Sequence, residues 1–318
     1  MNIVILERNT VGTDVSVDCF EKLGNVTSYA NTAYEEIAER VKDADVIIAN
    51  KSKLNEATLS GATHVKYIGE FATGFDNIDT EYCKKRGIRV TNVRGYSTPA
   101  VVQHTFALAF YVLEHLRYYD DYVKSGQYGA QDGFSHYGMT FTELQGKTWG
   151  IIGMGNIGAG VGKVAESFGC KVIYYSTTGK HMVSGYKSVS FDELLSDSDF
   201  ISCHCPLNER TKGLIDKVAL SKMKKSAILI NVARGPVVNN SDLYDALVNN
   251  EIAGAGLDVI EGEPITPDNP LGKFTDSNRL IITPHMAWAS TESRIRCVED
   301  AYKNLAAFIA GKERSVVV

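Results

Sequence analysis

Three glycines near the middle of the chain constrain its fold more than any other feature. Gly153, Gly155 and Gly158 are spaced as G-x-G-x-x-G, directly after the apolar run Thr148–Ile152 and at the start of a helical pattern. In such a strand–turn–helix, the first glycine allows a tight turn, the second lets the backbone approach a pyrophosphate, and the third lets helix and strand pack closely. Free amides at the helix N-terminus favour the same anion. The sequence therefore predicts a dinucleotide-binding βαβ unit.

Short apolar runs alternate with helical patterns on both sides of this turn. The alternation is typical of parallel βαβ units. We therefore expect an α/β fold with two doubly wound parallel-sheet domains. The predicted strands are NIVIL, VTSYA, DVIIAN, KYIGEF and IRVTNV in the first series, and TWGII, KVIYY, DFISCHC, AILINV, AGAGLDV and LIITP in the second.

Two helices mark the domain boundaries. The first follows Ser97 and contains Pro99 in its first turn; its apolar residues cover nearly the whole circumference, so we expect it to be buried between the domains. The second runs from Thr291 to Ala310 and ends at Gly311, and the final RSVVV is a candidate strand that returns to the first domain. We assign residues 1–98 and 287–318 to one domain and 99–286 to the other.

From Tyr118 to Leu144 the periodic pattern breaks down. A long loop inside a compact fold is unusual unless it binds something. Aromatic side chains on such an arm favour a protein–protein contact, and the alternative is a mobile surface loop. The aromatic residues of the arm include Tyr122, Tyr128, Phe134, Tyr137 and Phe141.

Charge and composition limit the classes of partner. The formal net charge is -5, and no basic patch is visible, so nucleic acid is not expected. No apolar run is long enough to cross a bilayer, and the N-terminus lacks the features of a signal peptide. Six dispersed cysteines favour a reducing cytoplasm over a disulfide framework.

Two further sets of residues are interpreted as structural. The SCHCP segment offers Cys203, His204 and Cys205, but the chain has no second pair of ligands with zinc-site spacing, so we predict no metal. His104, His115 and His136 lie in the apolar helix or the arm, and we expect them to be structural.

The residues at the end of the second strand of the nucleotide-binding series do not decide between NAD and NADP. An acidic residue there would bond the ribose hydroxyls and favour NAD. Ser176 and Thr177 are neutral, and Lys180 or His181 is available to neutralise a 2'-phosphate. The cofactor is therefore NAD or NADP.

Charged residues follow three predicted strands, where ligands of open α/β sheets bind. Arg234 follows AILINV, Asp258 and Glu263 follow AGAGL, and His285 follows LIITP. Beside a dinucleotide turn, this set suits the reduction of a keto acid. Arginine binds a carboxylate in bidentate fashion, histidine donates a proton to the carbonyl oxygen, and a carboxylate stabilises and orients the imidazolium.

At these residues the sequence resembles the D-isomer-specific 2-hydroxyacid dehydrogenase family, over nearly the whole chain. Within the family it is most similar to glycerate dehydrogenases, also called hydroxypyruvate reductases. The matching segments are FATGFDNID (71–79), VTNVRGYSTPAVVQHTFAL (90–108), GKTWGIIGMGNIG (146–158), CHCPLNERT (203–211), LINVARGPVVN (229–239), GAGLDVIEGEP (254–264) and TPHMAWAS (283–290).

The resemblance implies a Rossmann-type cofactor domain inserted into a flavodoxin-like substrate domain, which explains why so many residues precede the glycine turn. It makes Arg234 the substrate-orienting residue, His285 the acid/base, Glu263 its partner and Asp258 a contact of the nicotinamide carboxamide. The backbone of Ala72, Thr73 and Gly74 is expected to hold the substrate carboxylate. Trp288 either shapes the substrate pocket or packs at the domain hinge.

The resemblance also implies a homodimer, formed through the arm at about 118–146, and a full set of cofactor contacts. Those residues are Thr105, Gly153, Gly155, Asn156, Ile157, Gly158, Ser176, Thr177, Cys205, Pro206, Thr211, Val232, Ala233, Asp258 and His285.

Several activities are compatible with this family. We expect reduction of hydroxypyruvate or glyoxylate to D-glycerate or glycolate. An alternative is a D-lactate-type reductase or one for bulkier 2-keto acids. An alternative of another class is a dinucleotide-sensing scaffold that resembles transcriptional corepressors.

Overall fold

A computed structural model describes residues 1–179 and 184–318, which form two compact units. One unit comprises 1–97 and 288–318, and the other comprises 98–287. The strands are β1 (Asn2–Ile5), β2 (Asn25–Ser28), β3 (Val46–Ala49), β4 (Tyr67–Glu70), β5 (Arg89–Thr91), β6 (Thr148–Ile152), β7 (Lys171–Tyr175), β8 (Lys187–Ser188), β9 (Phe200–Cys203), β10 (Ile228–Asn231), β11 (Gly254–Leu257) and β12 (Leu280–Ile282). The helices are α1 (Tyr34–Val41), α2 (Glu56–Leu59), α3 (Thr80–Arg86), α4 (Thr98–Leu113), α5 (Leu116–Lys124), α6 (Gln127–Ala130), α7 (Asn156–Ser167), α8 (Phe191–Asp197), α9 (Lys217–Lys222), α10 (Asn240–Val248) and α11 (Thr291–Ile309).

The first unit contains a five-stranded parallel sheet with the order β2-β1-β3-β4-β5. This is the flavodoxin-like order, and each of the five predicted strands is present. The amphipathic helix α11 packs its buried residues Cys297, Val298 and Leu305 against Ile3, Ile5 and Tyr67 of the sheet. Its bounds agree with the predicted helix to within one residue, and the following Gly311 has a positive φ of 70°.

The C-terminal tail returns to the first unit, as predicted. Val316 forms an antiparallel bridge with Thr91, and Val90 exchanges backbone hydrogen bonds with Val317 and Val318. The tail forms a single bridge rather than a full strand.

The second unit contains a seven-stranded parallel sheet with the order β12-β11-β10-β9-β6-β7-β8. This is the Rossmann order with one additional strand at the edge. The six predicted strands are confirmed, while the two-residue β8 is not among the predictions. The order reverses between β6 and β9, so the glycine turn lies at the topological switch point where such sheets bind ligands.

The apolar helix α4 is buried because it packs on this sheet. Its residues Phe106, Ala109 and Val112 belong to the same core as Trp149, whose indole donates to Ser202. Gly256 makes the close approach possible, since a Cβ there would lie 2.7 Å from the Cβ of Leu108. Helix α4 belongs to the second unit, and its burial between the domains stays a prediction.

The arm is not a long loop, because its first part forms α5 and α6. Ion pairs one helical turn apart, Arg117–Asp121 and Asp120–Lys124, stabilise α5. None of its residues is buried, although Leu116, Tyr119 and Val123 lie on one face at helical spacing. Within the described ranges, no helix is long and apolar enough to cross a membrane.

A buried carboxyl group sits at the end of β4. Glu70 is 0% exposed, and Asn77 donates to one of its oxygens at 3.3 Å. The other oxygen has no partner among the described residues. Burial raises the pKa of Glu70 well above its ordinary value of 4.5, and the nearby Glu7 adds to this rise.

The raised pKa makes stability depend on pH. The folded chain binds this proton more tightly than the unfolded chain. The contribution of Glu70 to stability is therefore complete below the ordinary pKa and is lost as pH rises through the raised value.

Glu70→Gln keeps the shape of the neutral carboxyl group and removes the titration. We expect the free energy of unfolding of the variant to gain on that of wild type as pH rises from about 5 to about 9, by up to about 1.4 kcal/mol per pH unit within the titration range, and its melting temperature to rise relative to wild type accordingly. Calorimetry checks this, with the exposed Glu35→Gln as control; a difference that is constant with pH contradicts it.

Candidate active site

The glycine turn between β6 and α7 is built to receive an anion. Gly153 has a φ of 95°, and a Cβ there would lie 2.8 Å from the amide nitrogen of Cys205, while a Cβ on Gly158 would overlap the Gly153 carbonyl. The first helical hydrogen bond joins Ala159 N to Gly155 O at 2.8 Å. The amides of residues 156–158 therefore have no partner within the helix, which is the arrangement that binds phosphate.

Gly155 differs from its two neighbouring glycines. It is exposed, and a Cβ at this position would meet no atom within 4 Å. Its φ of -84° is accessible to any residue. The fold does not require glycine here, so the open space above it fits a ligand that approaches the backbone, as the pyrophosphate of a dinucleotide does.

The loops after β7 and β9 lie beside the turn. Gly153 N donates to Tyr175 O at 3.1 Å, and His204 N donates to Ile152 O at 2.8 Å. Ser176 and Thr177 are half-buried directly after β7. Lys180 and His181, which the sequence offered for a 2'-phosphate, lie outside the described residues.

The cysteine and histidine side chains of the SCHCP segment are uncharged. Burial raises the pKa of Cys205 to about 11 and lowers that of His204 to about 3, so both side chains are neutral. The buried Thr211 donates to the carbonyl of Pro206 at 2.7 Å and shapes the loop. No cluster of three potential metal ligands occurs in the part of the chain that the structure describes.

Arg234 lies in the loop after β10, and two residues fix its backbone. Asn231 donates its side-chain amide to Arg234 O at 3.0 Å and accepts from Ala233 N at 3.1 Å. Gly235 allows this loop to pack closely against the loop after β11, because a Cβ there would overlap the carbonyl of Ile260. Asn231 and Gly235 escaped the sequence analysis, although both lie within the quoted segment LINVARG.

His285 and Glu263 form a tight pair across the loops after β12 and β11. His285 Nδ1 lies 2.6 Å from Glu263 Oε2, and Glu263 Oε1 accepts from Ile260 N at 3.1 Å. The two side chains are 27% and 34% exposed. The second ring nitrogen, Nε2, has no hydrogen-bond partner among the described residues, so it is the one suited to exchange a proton with a ligand.

Asp258 holds the backbone around His285. Its carboxylate is 2% exposed and accepts from Thr283 Oγ1 at 2.6 Å, Met286 N at 2.8 Å and Ala287 N at 2.8 Å. His285 N donates to the Asp258 carbonyl, also at 2.8 Å. These bonds bracket His285, whose φ of 53° is unusual for a residue other than glycine.

His104 joins this network from α4. Its Nε2 lies 2.9 Å from Thr283 Oγ1. From the sequence, His104 is expected to be a structural histidine of an apolar helix; its connection with Asp258 is visible only in the fold, since the two belong to elements that are distant in the chain. The other two such histidines, His115 and His136, lie at the start of α5 and within the arm.

Three predicted cofactor contacts near these loops are partly or fully covered. Thr105 is 0% exposed, and its hydroxyl donates to the Val101 carbonyl. Ala233 is buried and Val232 half-buried beside Arg234. Their contacts with a cofactor stay predictions.

In the first unit, the loop after β4 offers two free amides. The Thr73 hydroxyl donates a hydrogen bond to Val93 O at 2.7 Å, and the Thr73 carbonyl accepts one from Asn92 Nδ2 at 2.6 Å. Within the described residues, the amides of Thr73 and Gly74 have no hydrogen-bond partner. Trp288 is half-buried, with its ring edge-on to that of Tyr96 at 6.1 Å.

The two parallel sheets, the glycine turn and the histidine–carboxylate pair define a nicotinamide-dependent oxidoreductase. A family model described as D-isomer specific 2-hydroxyacid dehydrogenase, NAD binding domain, matches residues 106–287. The chain belongs to this family and catalyses oxidoreduction of 2-hydroxy acids with NAD or NADP as cofactor.

Relatives and solved structures extend the similarity to the whole chain. The chain is 36% identical over 323 residues to a hydroxypyruvate reductase from Blautia hydrogenotrophica, which covers 100% of this chain and 99% of that protein. An acyclic imino acid reductase, Bsp5, solved with NADPH and D-Arg, is 30% identical with a TM-score of 0.89 and full coverage of both chains. A D-lactate dehydrogenase from Aquifex aeolicus, solved with NAD and lactic acid, is 31% identical with a TM-score of 0.86, over 98% of this chain and 96% of that one.

Gly155→Ala separates a role in binding from a role in folding. The added methyl group meets nothing in the protein, so we expect the melting temperature to stay within about 2 °C of wild type. It fills the approach to the free amides, so the dissociation constant for NADH should rise about tenfold or more. Calorimetric titration measures the constant, with Gly61→Ala, also in open space, as the matched control. Unchanged NADH affinity contradicts the assignment of this turn.

Proposed function

We propose that the chain reduces hydroxypyruvate or glyoxylate to D-glycerate or glycolate with NADH or NADPH. The 2.6 Å contact between His285 and Glu263 carries the proposal, because it creates a proton donor oriented by a carboxylate. The small, hydroxylated substrate is supported by the full-length similarity to a hydroxypyruvate reductase. The D-lactate-type alternative is supported by the D-lactate dehydrogenase structure at lower identity.

Each side chain has a separate role in the proposed reaction. Arg234 binds the substrate carboxylate and orients the keto group, since its guanidinium offers two parallel donors. His285 Nε2 donates a proton to the keto oxygen as the C–O double bond becomes a C–O single bond. Glu263 holds Nδ1 and stabilises the charged imidazolium before transfer. When bound, the nicotinamide supplies the hydride to the keto carbon.

Backbone groups complete the proposed substrate and cofactor contacts. The resemblance assigns Ala72, Thr73 and Gly74 to the substrate carboxylate, and the unpartnered amides of Thr73 and Gly74 support this assignment. The amides of Asn156, Ile157 and Gly158 are proposed to hold the pyrophosphate. We retain a nicotinamide contact for Asp258 as a prediction beside its observed bonds.

The proposed activity is tested by oxidation of NADH and NADPH with hydroxypyruvate, glyoxylate, pyruvate, 2-ketoisocaproate and phenylpyruvate at matched concentrations. We expect the highest kcat/KM with hydroxypyruvate. Preference for pyruvate or a bulkier acid supports the alternative substrates and rejects the proposed one. Binding of a dinucleotide without turnover of any acid favours the sensor that resembles a corepressor.

Arg234→Ala tests the substrate contact. Loss of two charge-assisted hydrogen bonds should lower kcat/KM for the keto acid by about a hundredfold or more. The dissociation constant for NADH should change by less than about twofold, because the glycine turn is intact. Steady-state kinetics and calorimetric titration measure the two quantities, and Arg210→Ala, an exposed arginine of another loop, serves as control. Turnover at the wild-type level would remove Arg234 from the site.

We further propose that the arm mediates a homodimer in the cytoplasm. Phe134 and Tyr137 are 92% and 82% exposed, which is unusual for large aromatic side chains. The arm is held in shape by its own contacts, including the stacking of Tyr122 on His136 at 3.7 Å. A preformed aromatic surface suits an interface between copies. The six free thiols support a reducing compartment.

A double variant tests the dimer. Phe134→Ser with Tyr137→Ser removes the most exposed aromatic surface, so we expect the mass in light scattering to fall from that of a dimer to that of a monomer. Tyr34→Ser, an exposed aromatic of the first unit, should leave the mass unchanged. A monomeric wild type, or a double variant that stays dimeric, contradicts the proposed interface.

A further inference from the structure

His104 is the polar side chain by which α4 reaches the loop that carries His285. Its Nε2 lies 2.9 Å from Thr283 Oγ1 and 3.5 Å from Asp258 Oδ1. The His104 side chain is 16% exposed and that of Asp258 is 2% exposed. Water therefore competes little for the hydrogen bond between His104 and Thr283, which restricts both side chains.

The direction of the hydrogen bonds follows from proton counting. An ionised carboxylate only accepts, so at 2.6 Å the Thr283 hydroxyl donates to Asp258. A hydroxyl has one hydrogen, and Thr283 Oγ1 must therefore accept from His104. This requires a hydrogen on Nε2 of His104, in the neutral ring as well as in the charged ring.

Asp258 transmits this constraint to the backbone on both sides of His285. Its carboxylate binds the amides of Met286 and Ala287, and its carbonyl binds the amide of His285. Asp258 thereby fixes three consecutive backbone amides, and with them the positive φ of His285. Glu263 fixes the imidazole ring at Nδ1, so backbone and ring are positioned by different residues.

We propose that His104 is a positioning residue for the proton donor. Its Nε2–H fixes the Thr283 hydroxyl on Asp258, and Asp258 fixes the backbone that presents His285. His104 touches neither substrate nor transferred proton in this role. The inference rests on the proposed function, because the reaction is what His285 is positioned for.

A double-mutant cycle tests the connection. The variants are His104→Leu, His104→Gln, Thr283→Val and the combination of His104→Leu with Thr283→Val; His64→Leu, in an exposed loop, is the matched control. We expect His104→Leu to lower kcat for the best keto acid by about tenfold or more, since small displacements of a catalytic group are costly. The KM for that acid and the dissociation constant for NADH should stay within about twofold.

The cycle and the conservative variant distinguish positioning from general support of the fold. If His104 acts through Thr283, the double variant should match Thr283→Val alone within about twofold. His104→Gln, which retains an N–H donor, should recover most of kcat. Effects of the two single variants that multiply, or no recovery with glutamine, overturn the proposal.

Nitrogen NMR of protein labelled at histidine gives a readout that does not depend on turnover. It should show a proton on Nε2 of His104, and His104→Leu should shift the ring signals of His285 while His64→Leu leaves them unchanged. A His104 ring protonated only at Nδ1, or unshifted His285 signals, overturns the proposal. Absence of keto-acid turnover in wild type would instead count against the proposed function, and the NMR result would still decide whether His104 is coupled to His285.

Discussion

The parallel alignment of β6, β9, β10, β11 and β12 is the constraint on which the rest of the second unit depends. Parallel strands end at one edge of their sheet, so the loops that follow them emerge side by side. These loops carry the glycine turn, Cys205, Arg234, Glu263 and His285. An antiparallel arrangement of the same strands would send alternate loops to the opposite edge and separate the anion cradle from the proton donor.

Hydrogen bonds between these loops offset the cost of an unusual backbone. A residue other than glycine with a positive φ costs about 1–3 kcal/mol. The carboxylate of Asp258 accepts three hydrogen bonds from the segment that contains His285, and bonds to a charged group contribute roughly 1.5–3 kcal/mol each. The bonds therefore outweigh the strain. Its observed bonds are to protein groups, and its contact with the nicotinamide stays a prediction.

Part of the site could be predicted because its chemistry is local in the chain. The glycine turn lies within eight consecutive residues, and Arg234, Glu263 and His285 each follow a recognisable apolar strand. Asn231, Gly235 and His104 were missed for a different reason. The importance of the last two lies in residues that are distant in the chain. Gly235 packs against the backbone of Ile260, and His104 bonds to Thr283, directly after β12. Helix α5 was missed because the segment from Tyr118 was interpreted as a break in the pattern, although Leu116, Tyr119 and Val123 are spaced for one helix face.

The sequence by itself determined the two series of parallel strands, the dinucleotide turn and the residue types of a hydride-transfer site. Each of these is encoded by periodicity or by a short motif whose physical cause acts over a few residues. Only the tertiary structure decided the strand order, the packing of α4 on the second sheet, the geometry of the predicted contact between His285 and Glu263, and the bracing of His285 by Asp258, Thr283 and His104. Those features depend on contacts between residues far apart in the chain, which are formed when the loops meet at one edge of a folded sheet.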